Sequence, residues 1–366
     1  MNQEKVALRI SLVGCGKAAE NHGSQIQHIR DVRLVAVCDR EPLMAEQLAA
    51  RYSVPKVYVN YSEMLEKERP DVVHIATPPQ SHFDLAITAF EHGCHVFVEK
   101  PAACSHFETQ RLLTAAAASH RKLTVGWGYY FDPISRDMRR IVDSGAIGEV
   151  VHMNSHFGYD LLGPFGWPVL SDSDHWVRGL PGKLIQNVAD HIFNKIVEFL
   201  PGESPVVDTQ VWSNYRGCPQ LMPTEMRVLI KDGSPTATAI MSSTVRPLIH
   251  QFQIFGTKGS LSLDFTSGIL SANQTPTVRG VIGSLLSGYS DAWRRFAYAN
   301  GNAARLVKGE FGYFSGLQFL MSAFYRSIRQ DCAPPISYDL ILRVSDLVDR
   351  VLSHPRLAVC ERQRIV

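Results

Sequence analysis

Along its first third the chain alternates short β-branched runs with stretches whose apolar positions return every three or four residues. The runs at 6–13, 33–38, 56–59, 72–76, 95–98 and 123–126 read as strands, and 41–52, 81–92 and 105–118 read as helices. Strands apolar on both faces, with helices between them, predict a parallel sheet covered on both sides. That is a doubly wound α/β domain.

After about residue 148 the pattern changes. Strand-like runs at 149–157, 206–216, 224–231, 236–245, 251–256 and 260–265 follow one another with few helices between. Short turns such as Asp232-Gly233 and Thr257-Lys258-Gly259 predict a large, mostly antiparallel open sheet. One helix at 184–200 is stopped by Pro201-Gly202, and a last amphipathic helix at 340–352 follows Pro334-Pro335. The glycine-dotted, partly helical stretch 273–330 reads as a cover or a subunit contact. The expected organisation is a first domain over 1–126 and a second, α+β domain over 127–366. A chain of 366 residues has room for two cores.

Composition narrows the classes. The 37 basic and 35 acidic residues leave a net charge of +2, and the densest basic cluster is Arg362–Arg364 at the end of the chain. Nucleic-acid binding is not indicated. Seven cysteines, at 15, 38, 94, 104, 218, 332 and 360, show no CxxC spacing and read as reduced thiols. No leader pattern and no run of about 18 apolar residues is present, so a cytoplasmic protein away from the membrane is expected.

The first strand runs into Gly14-Cys15-Gly16-Lys17-Ala18-Ala19, a GxGxxA pattern that opens a helix. Gly14 allows the tight turn, Gly16 lets the backbone approach a pyrophosphate, and Ala19 permits close helix packing. The second strand ends in Asp39, where a carboxylate suits a ribose 2′-hydroxyl and favours NAD. Arg40 beside it keeps NADP as the alternative. Thr77-Pro78-Pro79, with His82 soon after, ends the fourth strand at the same expected edge. The fifth strand ends in Glu99-Lys100-Pro101, which places a lysine where its charged form is disfavoured beside a nicotinamide.

These motifs, GCGKAA, Asp39, ATPPQSH and VEKPAA, resemble the glucose–fructose oxidoreductase / inositol dehydrogenase (Gfo/Idh/MocA) family. The similarity extends to 126–131, the helix around His191, FGTKGSLSLDF and PPISYDLILRVSDLV. It implies an N-terminal Rossmann domain binding NAD(P), and a second domain whose open sheet makes a homodimer or homotetramer. It also implies action on a sugar, cyclitol or nucleotide sugar. In such enzymes the EKP lysine contacts the substrate hydroxyl, which maps onto Lys100.

Many relatives pair that lysine with a histidine that has an aspartate one helical turn earlier. His191 matches the histidine, but Asn187 stands where the aspartate would be, and Asp190 points about 100° away around the helix. On this reading Lys100 and His191 share the acid–base work while Asn187 orients the substrate. Substrate contacts are expected from Tyr129, Trp176, Arg178 and Lys183, in addition to Asn187. Trp176 offers a stacking face, and Arg178 and Lys183 offer charge for a phosphate or carboxylate. Asp172–His175 and the pair His152/His156 lack a third ligand, so no metal is expected. Two other classes stay open: a lyase, epimerase or glycosidase cycling a tightly bound NAD, and a non-catalytic dinucleotide-binding regulator.

Overall fold

The computed structural model describes residues 7–214, 222–274, 280–312 and 314–354. Cys218, Cys360, the Arg362–Arg364 cluster and the ends of two expected strands, at residues 6 and 215–216, lie outside the described residues. The chain forms two compact units. One comprises Met1–Gly128 with Gly316–Ser345, the other Tyr129–Ser315 with Asp346–Val366.

The first unit runs β1 (Leu8–Val13), α1 (Lys17–Ile26), β2 (Val32–Cys38), α2 (Pro42–Tyr52), β3 (Lys56–Tyr58), α3 (Tyr61–Glu68), β4 (Val72–Ile75), α4 (His82–Glu91), β5 (His95–Val98), α5 (His106–Ala118) and β6 (Leu123–Val125). The six strands are all parallel in the order β3-β2-β1-β4-β5-β6. The order reverses between β1 and β4, which opens a crevice at their carboxyl ends. All four residues of β4 are buried, as expected of a central strand covered on both faces. Local chemistry sets the helix starts. The Asn60 side chain accepts from Glu63 N at 3.0 Å, and Ser105 Oγ accepts from Glu108 N at 3.2 Å.

The second unit holds α6 (Gly128–Phe131), whose first residue closes the preceding unit, then α7 (Pro133–Asp143), β7 (Val150–Gly158), α8 (Trp167–Ser171), α9 (Lys183–Val197), β8 (Val206–Trp212), β9 (Glu225–Lys231), β10 (Thr236–Ser242), β11 (His250–Gly256), β12 (Gly259–Asp264), β13 (Ile269–Gln274) and α10 (Gly280–Val307). Its seven strands lie in the order β13-β12-β11-β7-β10-β9-β8, antiparallel except for the β7–β10 pair. Alternation sets the faces. Met226, Val228 and Ile230 are buried, as are Ala237, Ala239 and Met241 on the next strand. α9 packs on β7 and β10.

The fold class matches the expectation, a doubly wound parallel sheet plus an α+β domain with a mostly antiparallel sheet. Two features were not read from the pattern. The stretch 273–330 resolves into the end of β13, α10 and α11 (Ser315–Arg329). α11 and most of α12 (Tyr338–Leu352) then belong to the first unit, whereas the sequence reading drew a single cut after residue 126. Lys122 Nζ donates to Ser327 O at 3.0 Å, Cys332 O at 2.8 Å and Asp331 Oδ1 at 2.9 Å, and Leu123 N donates to Tyr338 Oη at 3.0 Å. Among the described residues no helix is long and apolar enough to cross a membrane.

Candidate active site

The β1–α1 turn is shaped by what a side chain would strike. Gly14 has φ +85°, and a Cβ there would lie 2.7 Å from Thr77 N and 2.8 Å from the Ala76 carbonyl carbon. Only glycine meets both demands. Gly16 caps α1, and a Cβ on it would meet nothing within 4 Å, so the space before the helix N-terminus is open. Asp39 sits beside this turn. Its Oδ2 accepts from Cys15 N at 2.7 Å and its Oδ1 from Glu41 N at 2.9 Å. Each oxygen keeps a lone pair for a further donor such as a ribose hydroxyl.

Open backbone at a helix N-terminus with a fixed carboxylate at the next strand end fits a dinucleotide. Burial, then the charges of Asp39 and Cys38, push the Cys15 thiol up to about 12, so it contributes backbone and not a nucleophile. Lys17 and Arg40 are exposed at the same turn and Ala18 is half-buried. Thr77 lies against Gly14 and accepts from Ser81 Oγ at 2.7 Å, and Pro78 is exposed beside it. His82 is fully buried. Its ring nitrogens lie 2.8 Å from Pro101 O and 2.8 Å from Thr77 O, so it braces the turn after β4 against the turn after β5.

The end of β5 is held from below by a chain of buried groups. Glu99 Oε1 lies 2.9 Å from His22 Nε2, His22 Nδ1 lies 2.7 Å from His74 Nδ1, and His74 Nε2 lies 2.8 Å from the Tyr325 hydroxyl. His22, His74 and Tyr325 are all 0% exposed. An ionised Glu99 can only accept, so His22 carries its proton on Nε2 and accepts at Nδ1 from His74. His74 then accepts at Nε2 from Tyr325. One proton on each imidazole satisfies every link.

Burial holds the His74 imidazole well below the ordinary histidine range, reinforced by His22. For Glu99, burial works upward, but the His22 hydrogen bond and then the Lys100 charge outweigh it and leave the carboxyl below its usual range. Glu99 Oε2 also accepts from Lys100 N at 3.2 Å. A Cβ on Gly126 would come within 2.8 Å of Glu99 Oε1, so the carboxylate occupies space that glycine leaves. The Lys100–Pro101 peptide is cis.

In the second unit Asn187, His191 and Lys195 stand on α9 at successive turns. The His191 ring stacks on Phe157 with centroids 5.3 Å apart and meets the edge of Tyr129 at 5.2 Å. Tyr129 also meets His250 at 4.5 Å, and His250 stacks on Phe265 at 4.3 Å. Tyr129 thus joins an aromatic cluster with His191 and His250. Lys195 is 0% exposed, with Nζ donating to His191 O at 2.7 Å and lying 5.0 Å from the Phe265 ring centroid. Burial, then Arg139, lowers its ammonium from 10.5 to about 7.

The loop before α9 is braced internally. Arg178 donates to Val169 O at 2.8 Å and Leu170 O at 2.7 Å, and Lys183 Nζ donates to Arg178 O at 3.2 Å. These two cations hold backbone carbonyls of their own loop. Trp176 stacks on His175 with centroids 5.5 Å apart and is half-buried. Among the described residues no group of three or more His, Cys, Asp or Glu side chains could hold a metal ion.

Sequence reasoning passed over His22, His74, Tyr325 and Lys195. A signal existed for two of them: a histidine inside the fully apolar run VVHIA, and a lysine between apolar residues in FNKIV.

Residues 8–127 match the oxidoreductase family with the NAD-binding Rossmann fold, and residues 135–262 match the GFO/IDH/MocA C-terminal domain. The D-glucoside 3-dehydrogenase of Escherichia coli (strain K12) is 28% identical over 208 residues, spanning 52% of this chain and 58% of that protein. The inositol 2-dehydrogenase of Rhizobium meliloti (strain 1021) is 31% identical over 201 residues, spanning 55% and 57%. The chain thus matches somewhat more than half the length of these relatives. In fold it is similar to the WlbA dehydrogenase from Bordetella pertussis in complex with NADH and UDP-GlcNAcA, with a TM-score of 0.75 at 17% identity over 97% of this chain and 96% of that one. The chain belongs to the Gfo/Idh/MocA oxidoreductase family, carrying that family's NAD-binding Rossmann domain followed by its C-terminal domain.

Proposed function

We propose that the protein is an NAD(P)-dependent dehydrogenase acting on a secondary ring hydroxyl of a sugar, cyclitol or nucleotide sugar. The observation that carries this reading is the end of β5. There Lys100 follows a carboxylate fixed by buried histidines, at the same sheet edge as the Gly14 turn and Asp39. The named activities of the relatives, on a glucoside and on inositol, support this substrate class.

In this proposal Gly14, Cys15 and Gly16 offer backbone to the pyrophosphate and Asp39 receives the adenosine ribose. The nicotinamide, when bound, accepts hydride from the carbinol carbon. Lys100 and His191 are the acid–base groups that take the hydroxyl proton, and Asn187 orients the substrate by hydrogen bonding. The Glu99 carboxylate beside Lys100 favours a cation there and fixes its backbone.

The test is a panel of sugars, cyclitols and UDP-sugars followed by NADH absorbance, with Lys100→Met and His191→Ala beside the wild type. Each variant should lose at least 100-fold in kcat while binding NAD as before. Wild-type turnover in Lys100→Met would remove it from the chemistry.

A further inference from the structure

α10 lies on its own unit with its polarity reversed. A surface helix ordinarily turns its apolar stripe inward and its polar face to water. Here the inward contacts are polar. Tyr298 Oη and Arg305 Nη2 donate to Asp137 Oδ2 at 2.7 and 2.6 Å, and Asn302 Nδ2 donates to Gly268 O at 2.7 Å. The outward face is apolar: Ile282 is 67% exposed, Leu286 52%, Tyr289 70%, Trp293 68% and Phe296 60%.

The spacing of the outward residues is regular. From Ile282 to Phe296 they advance by alternate steps of four and three, the heptad rhythm of a helix-pairing seam. The rhythm continues through Asn300 and Ala303 to Val307, which is 89% exposed, so the seam runs almost the length of the helix. The flanking positions that follow each early step are small or uncharged, among them Ser290, Ala297 and Ala304. A single polar residue, Asn300, interrupts the seam, the kind of position that fixes register in paired helices.

We propose that α10 is a self-association surface, on which the same helix of a second copy of this chain packs seam to seam about a two-fold axis. An uncharged stripe on both sides makes such a pair self-complementary, because no like charges meet across the seam. The area is sufficient as well. At 60–70% exposure the three aromatic residues hold about 300–500 Å2 in reserve. With the aliphatic residues the stripe reaches about 800 Å2 per copy, the size of a standard stable interface. α10 packs on β13, an edge strand of the seven-stranded sheet, so the seam is carried by the helix at that edge. It does not depend on the proposed catalytic roles.

The test is sedimentation velocity on the full chain at micromolar concentration, comparing the wild type with Leu286→Glu/Trp293→Glu. Both replaced side chains are exposed, so far-UV circular dichroism and NAD binding should be unchanged. A second pair, Ile282→Lys/Phe296→Lys, repeats the test with the opposite charge. The expected result is a wild-type particle of twice the variant mass in both cases. Equal masses for wild type and variants would overturn the proposal. So would wild-type pelleting with phosphatidylglycerol vesicles that both variants lose without a change of mass, which would assign the stripe to a lipid surface.

Discussion

Replacing Lys195 by methionine tests whether a buried amine burdens the second unit. The ammonium is fully buried against Phe265, with the His191 carbonyl as its close acceptor. Its drop from 10.5 to about 7, at 1.36 kcal/mol per pH unit, amounts to about 4–5 kcal/mol against the charged folded form. Below pH 7 folded and unfolded chains both carry the proton, and the cost is complete. Between pH 7 and 10.5 the unfolded chain binds a proton that the folded chain lacks, so stability rises with pH. Methionine keeps the unbranched shape and removes the titration. Urea unfolding of both proteins at pH 7 and pH 9 should find the stability of the wild type relative to Lys195→Met rising by about 2 kcal/mol over that interval. Parallel pH dependences in the two proteins would refute the reasoning, because they would mean that Lys195 titrates alike whether folded or not.

His22→Leu should cost about 2–3 kcal/mol by leaving the Glu99 carboxylate without its buried donor, read as a lower urea midpoint; an unchanged midpoint would show the pair to be idle. Because the His74 imidazole is held far below 6.5, the unfolded chain takes up a proton there first, so stability should begin to fall as pH drops through 6.5. Glu99 adds to the loss below about 4.5, and a thermal melt series from pH 8 to 4 reads both. Asp39→Ala should weaken NAD about tenfold and NADP less, measured by fluorescence titration; equal weakening would take Asp39 off the ribose. Asn187→Asp should keep or raise turnover, and complete loss would make the amide a required donor.

Much of this molecule is written in local pattern. The first six strands were legible because they are short β-branched runs, with β4 buried at every position and apolar but for His74, and the glycine turn because φ +85° at Gly14 excludes other residues. α11 carries an equally clear stripe, with Leu317, Leu320, Met321, Phe324 and Tyr325 all buried. It went unread within the glycine-dotted stretch that precedes it, and nothing local says that it packs on a sheet more than two hundred residues earlier. α10 was obscure for the opposite reason, since its apolar face has no core in its own chain. At the candidate site Lys100 was legible by motif, but its support was not. His22, His74 and Tyr325 come from α1, β4 and α11, and only the folded chain brings their rings into line.

The placement of α11 in the first unit also has a consequence in time. When the ribosome has released residue 128, the parallel sheet is complete but His74 still lacks the Tyr325 hydroxyl, and Lys122 lacks its acceptors on α11 and the loop after it. At about 5–20 residues per second, the intervening stretch takes about 10–40 seconds to synthesise. Throughout that interval the face beneath β4 and β5 stands open, and residues Tyr129–Ser315 of the second unit are made before it closes. The N-terminal domain is therefore the first begun and among the last finished, so a truncation anywhere before Gly316 exposes the interior of a domain that lies far upstream.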